Sequence, residues 1–268
     1  MTGFRLDGQV AAVVGGTGVL GGAMADGLAA AGARLAILGR SCERGEARVE
    51  AIVAAGGEAA FFVCDAVERD SLEQARDRLD ASLGAPSILV NAAGGNRPEA
   101  TVTAEQPFEA IELDSWRGAL DLNLAAGVVL PCQVFGPAMV AAGAGSIINI
   151  GSVAAHQPLS RVAAYSAAKA AVLSVTRFLA REWAGAGVRV NAITPGFFPA
   201  EQNRRLLYRE DGSPTARGQQ ILARTPMGRF GDPHELVGTV VYLASPEASG
   251  FVTGAEIPVD GGFLATSI

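Results

Sequence analysis

Short apolar runs alternate with helical patterns along the whole chain, and this alternation constrains the fold more than any other feature. Val10–Val14 reads as a strand, followed by a glycine turn and a helix to about Ala31 that Gly32 stops. Leu35–Leu38, Ala59–Val63, Ser87–Val90, Ser146–Ile150 and Val188–Ile193 are further strands, and Glu256–Val259 is a last short one. Helices are expected over Arg44–Ala55, Ser71–Leu83, Ala163–Ala184 and Pro233–Ala244. A long helix capped by Asp114 or Ser115 runs to about Ala142. Strand–helix–strand units with short links imply a parallel sheet covered on both faces. Right-handed crossovers then give a single doubly wound, Rossmann-like α/β domain over residues 1–268, with about seven strands. Two irregular stretches, about 95–113 and 196–229, fall where ligands bind in such sheets and are candidate substrate-shaping loops.

The bulk numbers exclude several classes. The 268 residues, 49% of them apolar, can bury a large core. A net charge of -6 without a Lys/Arg run argues against nucleic acid as a partner. The three cysteines, Cys42, Cys64 and Cys132, show no metal-ligand spacing and read as free thiols in a reducing compartment. No metal site is expected. Leu122 to Ser160 contains no charged residue, but Asn123, Pro131, Gln133 and Pro137 interrupt it. It reads as a buried or interface helix followed by a central strand, not a membrane span. The N-terminal segment lacks a basic region followed by a long apolar core, so a cytoplasmic protein without a signal peptide is expected.

The turn after the first strand holds Gly15, Gly16, Gly18, Gly21 and Gly22. Glycines there let the backbone approach a pyrophosphate, and the following helix N-terminus offers free N–H groups. The second strand ends Leu38-Gly39-Arg40-Ser41, with no acid to hold a ribose diol. Arg40 and Ser41 suit a 2′-phosphate, which favours NADP and leaves NAD open.

Tyr165 and Lys169 lie four residues apart, so on a helix they share one face. Ser152 precedes the tyrosine by thirteen residues. A free phenol has a pKa near 10, and an ammonium one turn away is expected to lower it. Tyr165 is then suited to general acid–base catalysis, with Ser152 holding a substrate oxygen.

The ordered series of motifs resembles the short-chain dehydrogenase/reductase family over nearly the full chain. The series runs from the glycine turn to Asp65, Asn91-Ala92-Ala93-Gly94, Asn123, Ser152, Tyr165 with Lys169, and Pro195-Gly196. The resemblance implies a catalytic set of Asn123, Ser152, Tyr165 and Lys169, with Asn123 supporting a water relay to the lysine and Lys169 also binding the nicotinamide ribose. It implies a cofactor cleft built from Gly15, Thr17, Gly18, Val19, Leu20 and Gly21 at the turn, and Gly39, Arg40 and Ser41 at the second strand. Asp65, Ala66 and Val67 would hold the adenine. Asn91, Ala92, Ala93 and Gly94 would line the cleft, and Pro195, Gly196, Phe197 and Phe198 would face the nicotinamide. Two departures stand out: Val14 and Val19 replace the family's threonine and middle glycine, and no threonine follows Pro195-Gly196.

Within the family, Val19–Ala25, Ala93–Asn96, Phe197–Arg204 and Thr225–Gly231 resemble sugar-acid oxidoreductases related to D-mannonate (fructuronate) oxidoreductase. Such a substrate needs a carboxylate clamp, for which Arg97, Arg161 and Arg204 are candidates. Asn96, His156, Gln202 and Asn203 are candidates for its hydroxyls, together with Gln157. Reduction of a 3-oxoacyl thioester, another ketone or polyol substrate, and a nucleotide-sensing protein without catalysis are the alternatives. The family resemblance implies a homotetramer or homodimer, and the apolar helices ending near Ala142 and Ala184 would pack across subunits.

Overall fold

The structure, a computed structural model, describes residues 4–200 and 203–267. Its strands are β1 (Val10–Val14), β2 (Arg34–Gly39), β3 (Glu58–Val63), β4 (Ile88–Asn91), β5 (Gly145–Ile150), β6 (Val188–Pro195) and β7 (Glu256–Val259). They form one sheet in the order β3-β2-β1-β4-β5-β6-β7, and every pairing is parallel. The apolar runs dictate this outcome, because a strand buried on both faces, such as β1 or β6, has no solvent side to alternate toward.

Helices α1 (Val19–Ala30), α2 (Cys42–Ala54) and α3 (Arg69–Leu83) follow the first three strands. Helix α3 buries Leu72, Ala75, Leu79 and Leu83, the spacing of one helical stripe. Helices α4 (Leu113–Leu120) and α5 (Leu130–Ala142) are joined through a π-helical stretch, Asp121–Val129. Helix α6 is Ala163–Trp183, and two short helices, α7 (Arg204–Leu207) and α8 (Ala216–Ala223), precede α9 (Val237–Ala244). One apolar core lies on the α3, α5 and α6 face of the sheet and another on the α1 and α9 face.

Most element limits move by one or two residues from the sequence reading, and three differences are larger. Neither Asp114 nor Ser115 caps the long helix: it begins at Leu113, with Glu112 before it and no side-chain cap. Pro233–Leu236 is a tight 3-10 turn entering α9, closed by Asp232 and Glu235 in a reciprocal capping box. The 196–229 stretch is not irregular throughout. Helices α7 and α8 are linked by a Tyr208–Pro214 bridge around Leu207, Ile221 and Phe230. Elements of four and eight residues are too short to show periodicity.

The continuous helix Leu113–Ala142 contains an 18-residue window with a mean hydropathy of 1.7, and it is long and apolar enough to cross a membrane by length and composition. Half of its apolar window is buried in the protein, and its π-helical part carries buried Asn123 against the loop after β4.

Candidate active site

Reversal of strand order puts the carboxyl ends of β1 and β4 side by side, with crossovers leaving in opposite directions. A crevice opens at such a switch point. Here it is a cleft of about 1110 Å³. At one end the chain leaves β1 through Gly15, which has φ +84°. A Cβ on Gly15 would lie 2.7 Å from the Ala93 amide nitrogen, and one on Gly21 would lie 2.3 Å from the Gly15 carbonyl oxygen. Only glycines allow this approach. Gly18 precedes α1 in an extended conformation, no side chain caps that helix, and its first turn has no acid. The departure at Val19 therefore leaves the cradle intact: Val19 begins the helix and lines the cleft.

Thr17, Gly39, Arg40, Ser41, Asp65, Ala66 and Val67 line the same end. A Cβ on Gly39 would come within 2.6 Å of the Thr17 hydroxyl, so the end of β2 packs closely on the turn after β1. The Ser41 hydroxyl accepts from the Arg44 amide and starts α2. Arg44 lines the cleft beside Arg40, a second exposed cation that the sequence reading did not single out. Asp65 accepts from the Val67 amide, which fixes that turn.

At the other end, Ser152, Tyr165, Lys169, Pro195, Gly196, Phe197 and Phe198 share the wall. Ser152 follows β5, and its hydroxyl accepts from the Ala154 amide at 3.1 Å. Tyr165 lies in the first turn of α6, and the Lys169 ammonium is 5.8 Å from its ring centre. Lys169 is 5% exposed, and its Nζ donates to the Ile150 carbonyl at 2.7 Å. Burial lowers the Lys169 pKa to about 8. Burial also raises the Tyr165 pKa, and the Ser152 hydroxyl pulls it back. This corrects the expectation that the lysine lowers the phenol's pKa: in the protein alone desolvation wins, and the lysine's own proton is weakly held.

Asn91, expected on the cleft wall, and Asn123, expected to support a water relay, both sit behind the wall. Asn123 is fully buried, and its amide donates to the Gly95 and Ala119 carbonyls while its oxygen accepts from the Gly95 amide. It clamps the turn after β4, where a Cβ on Gly94 would fall 2.8 Å from its oxygen. Its side-chain polar atoms are thus engaged with backbone. Asn91, 1% exposed, donates to Asn149, which donates to Thr176, and the three tie β4, β5 and α6 together beneath the cleft. Ala92, Ala93 and Gly94 do reach the wall.

Of the substrate candidates, Asn96 and Asn203 line the cleft. Asn203 also braces its own loop, donating to the Phe198 carbonyl and accepting from the Ala200 amide. Gln202 lies outside the described residues. The other candidates point elsewhere. Arg97 pairs with Glu99 at 3.5 Å, Arg204 stacks on Tyr208, and exposed Arg161 is absent from the lining. His156 bonds Glu256 on β7, which also takes the Thr194 hydroxyl, because the 3-10 turn Val153–Ala155 carries the chain toward the sheet edge. Arg217 on α8 lines the cleft instead, together with Leu206, Leu207 and Ile221. Nothing in the sequence marked it, because α8 itself was not legible.

No group of three or more His, Cys, Asp or Glu among the described residues could hold a metal, and all three cysteines are free.

The enoyl-(acyl carrier protein) reductase model of the short-chain dehydrogenases matches residues 17–264. The chain belongs to the short-chain dehydrogenase/reductase family. UxuB of Bacillus subtilis, an uncharacterized oxidoreductase, is 45% identical over 98% of this chain and 97% of its own. Two solved members of the family superpose over nearly the whole chain. One, from Haemophilus influenza, is provisionally described as a D-mannonate oxidoreductase with bound NAD; it is 36% identical with a TM-score of 0.92, covering 98% of this chain and 97% of that one. The other is a gluconate 5-dehydrogenase from Burkholderia cenocepacia in complex with NADP and tartrate, 36% identical with a TM-score of 0.89, covering 99% of both chains. This short-chain dehydrogenase/reductase is thus an oxidoreductase of CH–OH and carbonyl groups that uses a nicotinamide dinucleotide. The residues present fit that cofactor: a glycine cradle and an uncapped helix start suit the pyrophosphate, and Lys169 and Tyr165 stand at the far end of the same cleft.

Proposed function

We propose that this enzyme reversibly reduces a keto group on a hexuronate-like sugar acid, with NADP as the preferred cofactor. The observation that carries the reading is the single cleft that joins the glycine cradle to Ser152, Tyr165 and Lys169. The sugar-acid assignment draws on the likeness to the D-mannonate and gluconate enzymes.

When bound, the nicotinamide supplies or accepts the hydride. Ser152 holds the substrate oxygen and stabilises its developing charge. Tyr165, a phenol whose pKa burial raises further above neutral, gives its proton to that oxygen in reduction and takes it back in oxidation. Lys169 binds the ribose and resupplies the proton, a role that suits an amine with a pKa of about 8. Asn123 is a positioning residue that fixes the loop facing Lys169. Arg40 and Arg44, both exposed at the adenosine end, favour the 2′-phosphate. The loops at 95–113 and 196–229 shape the substrate end.

A homotetramer in the cytoplasm completes the reading, with partly apolar α5 and α6 faces and exposed Phe178 on α6 offered to partner subunits. A one-chain mass by light scattering contradicts the assembly.

The test is an initial-rate panel of keto-sugar acids, neutral ketoses and a 3-oxoacyl thioester mimic, each with NADPH and NADH. Fast turnover confined to a keto-sugar acid, at least about tenfold better with NADPH, is expected. Turnover of the thioester alone contradicts the substrate assignment, and a preference for NADH contradicts the role of Arg40 and Arg44.

A further inference from the structure

Arg217 is an unusual cation. It is the second residue of α8, where a positive charge opposes the helix dipole. It is half-buried, and no carboxylate among the described residues pairs with it. Its hydrogen bond goes to the Ser160 hydroxyl at 3.0 Å, a neutral partner. Burial lowers its pKa, and the charge of Arg161 lowers it further. Arg161 also has no acid partner among the described residues and is held at φ +75°, a region uncommon for a residue with a side chain. Burial, the helix dipole and a neighbouring like charge all disfavour this guanidinium, and an anion in the cleft relieves all three.

We propose that Arg217 is the specificity-determining residue that receives the substrate's carboxylate. Asn96, Ser152 and Tyr165 share its cleft, so the carboxylate end and the reacting carbonyl of one small sugar acid fall within one cavity. The planar guanidinium offers two parallel donors that match a carboxylate, and no neutral sugar can use them equally. The residue sits on the flap built from α7 and α8, so taking the carboxylate also ties that flap to the substrate. This assignment rests on the sugar-acid reading above.

The experiment compares wild type, Arg217→Ala and Arg217→Lys on a keto-sugar acid and on the matched neutral ketose, with KM for the cofactor measured throughout. Tartrate, a hydroxy-dicarboxylate, is titrated calorimetrically into each protein saturated with oxidised cofactor as a readout independent of turnover. Arg217→Ala is expected to narrow the acid-over-neutral ratio of kcat/KM by about 100-fold, mainly through KM, and to weaken tartrate binding in parallel. Arg217→Lys keeps the charge without the fork and is expected to recover part of both. Partial exposure of the side chain makes folding of both variants a fair expectation, checked by thermal midpoint. If wild type strongly prefers the acid and Arg217→Ala leaves that ratio and tartrate binding unchanged, the role of Arg217 is overturned while the sugar-acid reading stands. A rise in cofactor KM with the acid preference unchanged places the guanidinium on a cofactor phosphate and overturns it too. If wild type turns over the neutral ketose alone, the sugar-acid reading fails first.

Discussion

Tyr165→Phe lowers kcat by about 10²–10⁴-fold in both directions, the range general acid–base groups contribute. The substitution removes one oxygen and keeps the ring that packs at the start of α6. The wall of the cleft therefore persists, and binding of NADPH by fluorescence titration changes by less than about threefold. The phenol is the proton donor placed against Ser152 at the cleft's far end, and burial raises its pKa above the ordinary value near 10. Loss of turnover together with loss of cofactor binding would indicate a structural role and contradict the assignment. Equal turnover by the variant would remove Tyr165 from the chemistry altogether.

Lys169→Met abolishes turnover to a similar degree and makes the cofactor-free protein more stable. The amine is nearly sealed from water, and its pKa falls from 10.5 to about 8. At about 1.4 kcal/mol per tenfold change in proton affinity, keeping it charged inside costs on the order of 3 kcal/mol at neutral pH. Methionine fills similar space without that cost but loses the bond to the Ile150 carbonyl, worth about 1 kcal/mol. The net gain of about 1–2 kcal/mol corresponds to roughly 2–6 °C in Tm. Its pH dependence is specific. The unfolded lysine keeps its proton to about pH 10.5 and the folded one releases it near 8, so between those values the unfolded state binds more protons. Wild-type stability from this group therefore rises with pH across that window, and the advantage of Lys169→Met shrinks as pH rises from 8 to 10.5. A variant less stable than wild type at pH 7 contradicts the buried-charge account.

The extent to which the sequence foretold this molecule follows from the range of each signal. Strands buried on both faces, such as Val10–Val14 and Val188–Pro195, announce themselves as apolar runs, and their alternation with helices gives the sheet. Tyr165 and Lys169 lie on one helix, so local spacing places them together. Positions set by long-range packing were not legible. Asn91 looks like a cleft residue in its motif, yet its side chain turns inward to Asn149, and the Asn123 side chain binds backbone from the turn after β4 and from α4. His156 lies four residues after Ser152, but an intervening 3-10 turn sends it to Glu256, a hundred residues away. Arg217, which lines the cleft from the α7–α8 flap, comes from an eight-residue helix whose periodicity is too short to read. Arg97 and Arg204 were nearer to motifs in sequence, but Glu99 and Tyr208 hold them.

The central claim is that this cleft delivers a hydride to the carbonyl carbon of a sugar acid while Tyr165 protonates its oxygen. It is tested most directly with NADPH carrying deuterium at the transferring position, a keto-sugar acid that turns over, and NMR of the product. The account predicts one deuterium per product, on the new carbinol carbon and in one configuration, and almost none with Tyr165→Phe. Deuterium retained in the cofactor, washed into water or placed at any other carbon would contradict it.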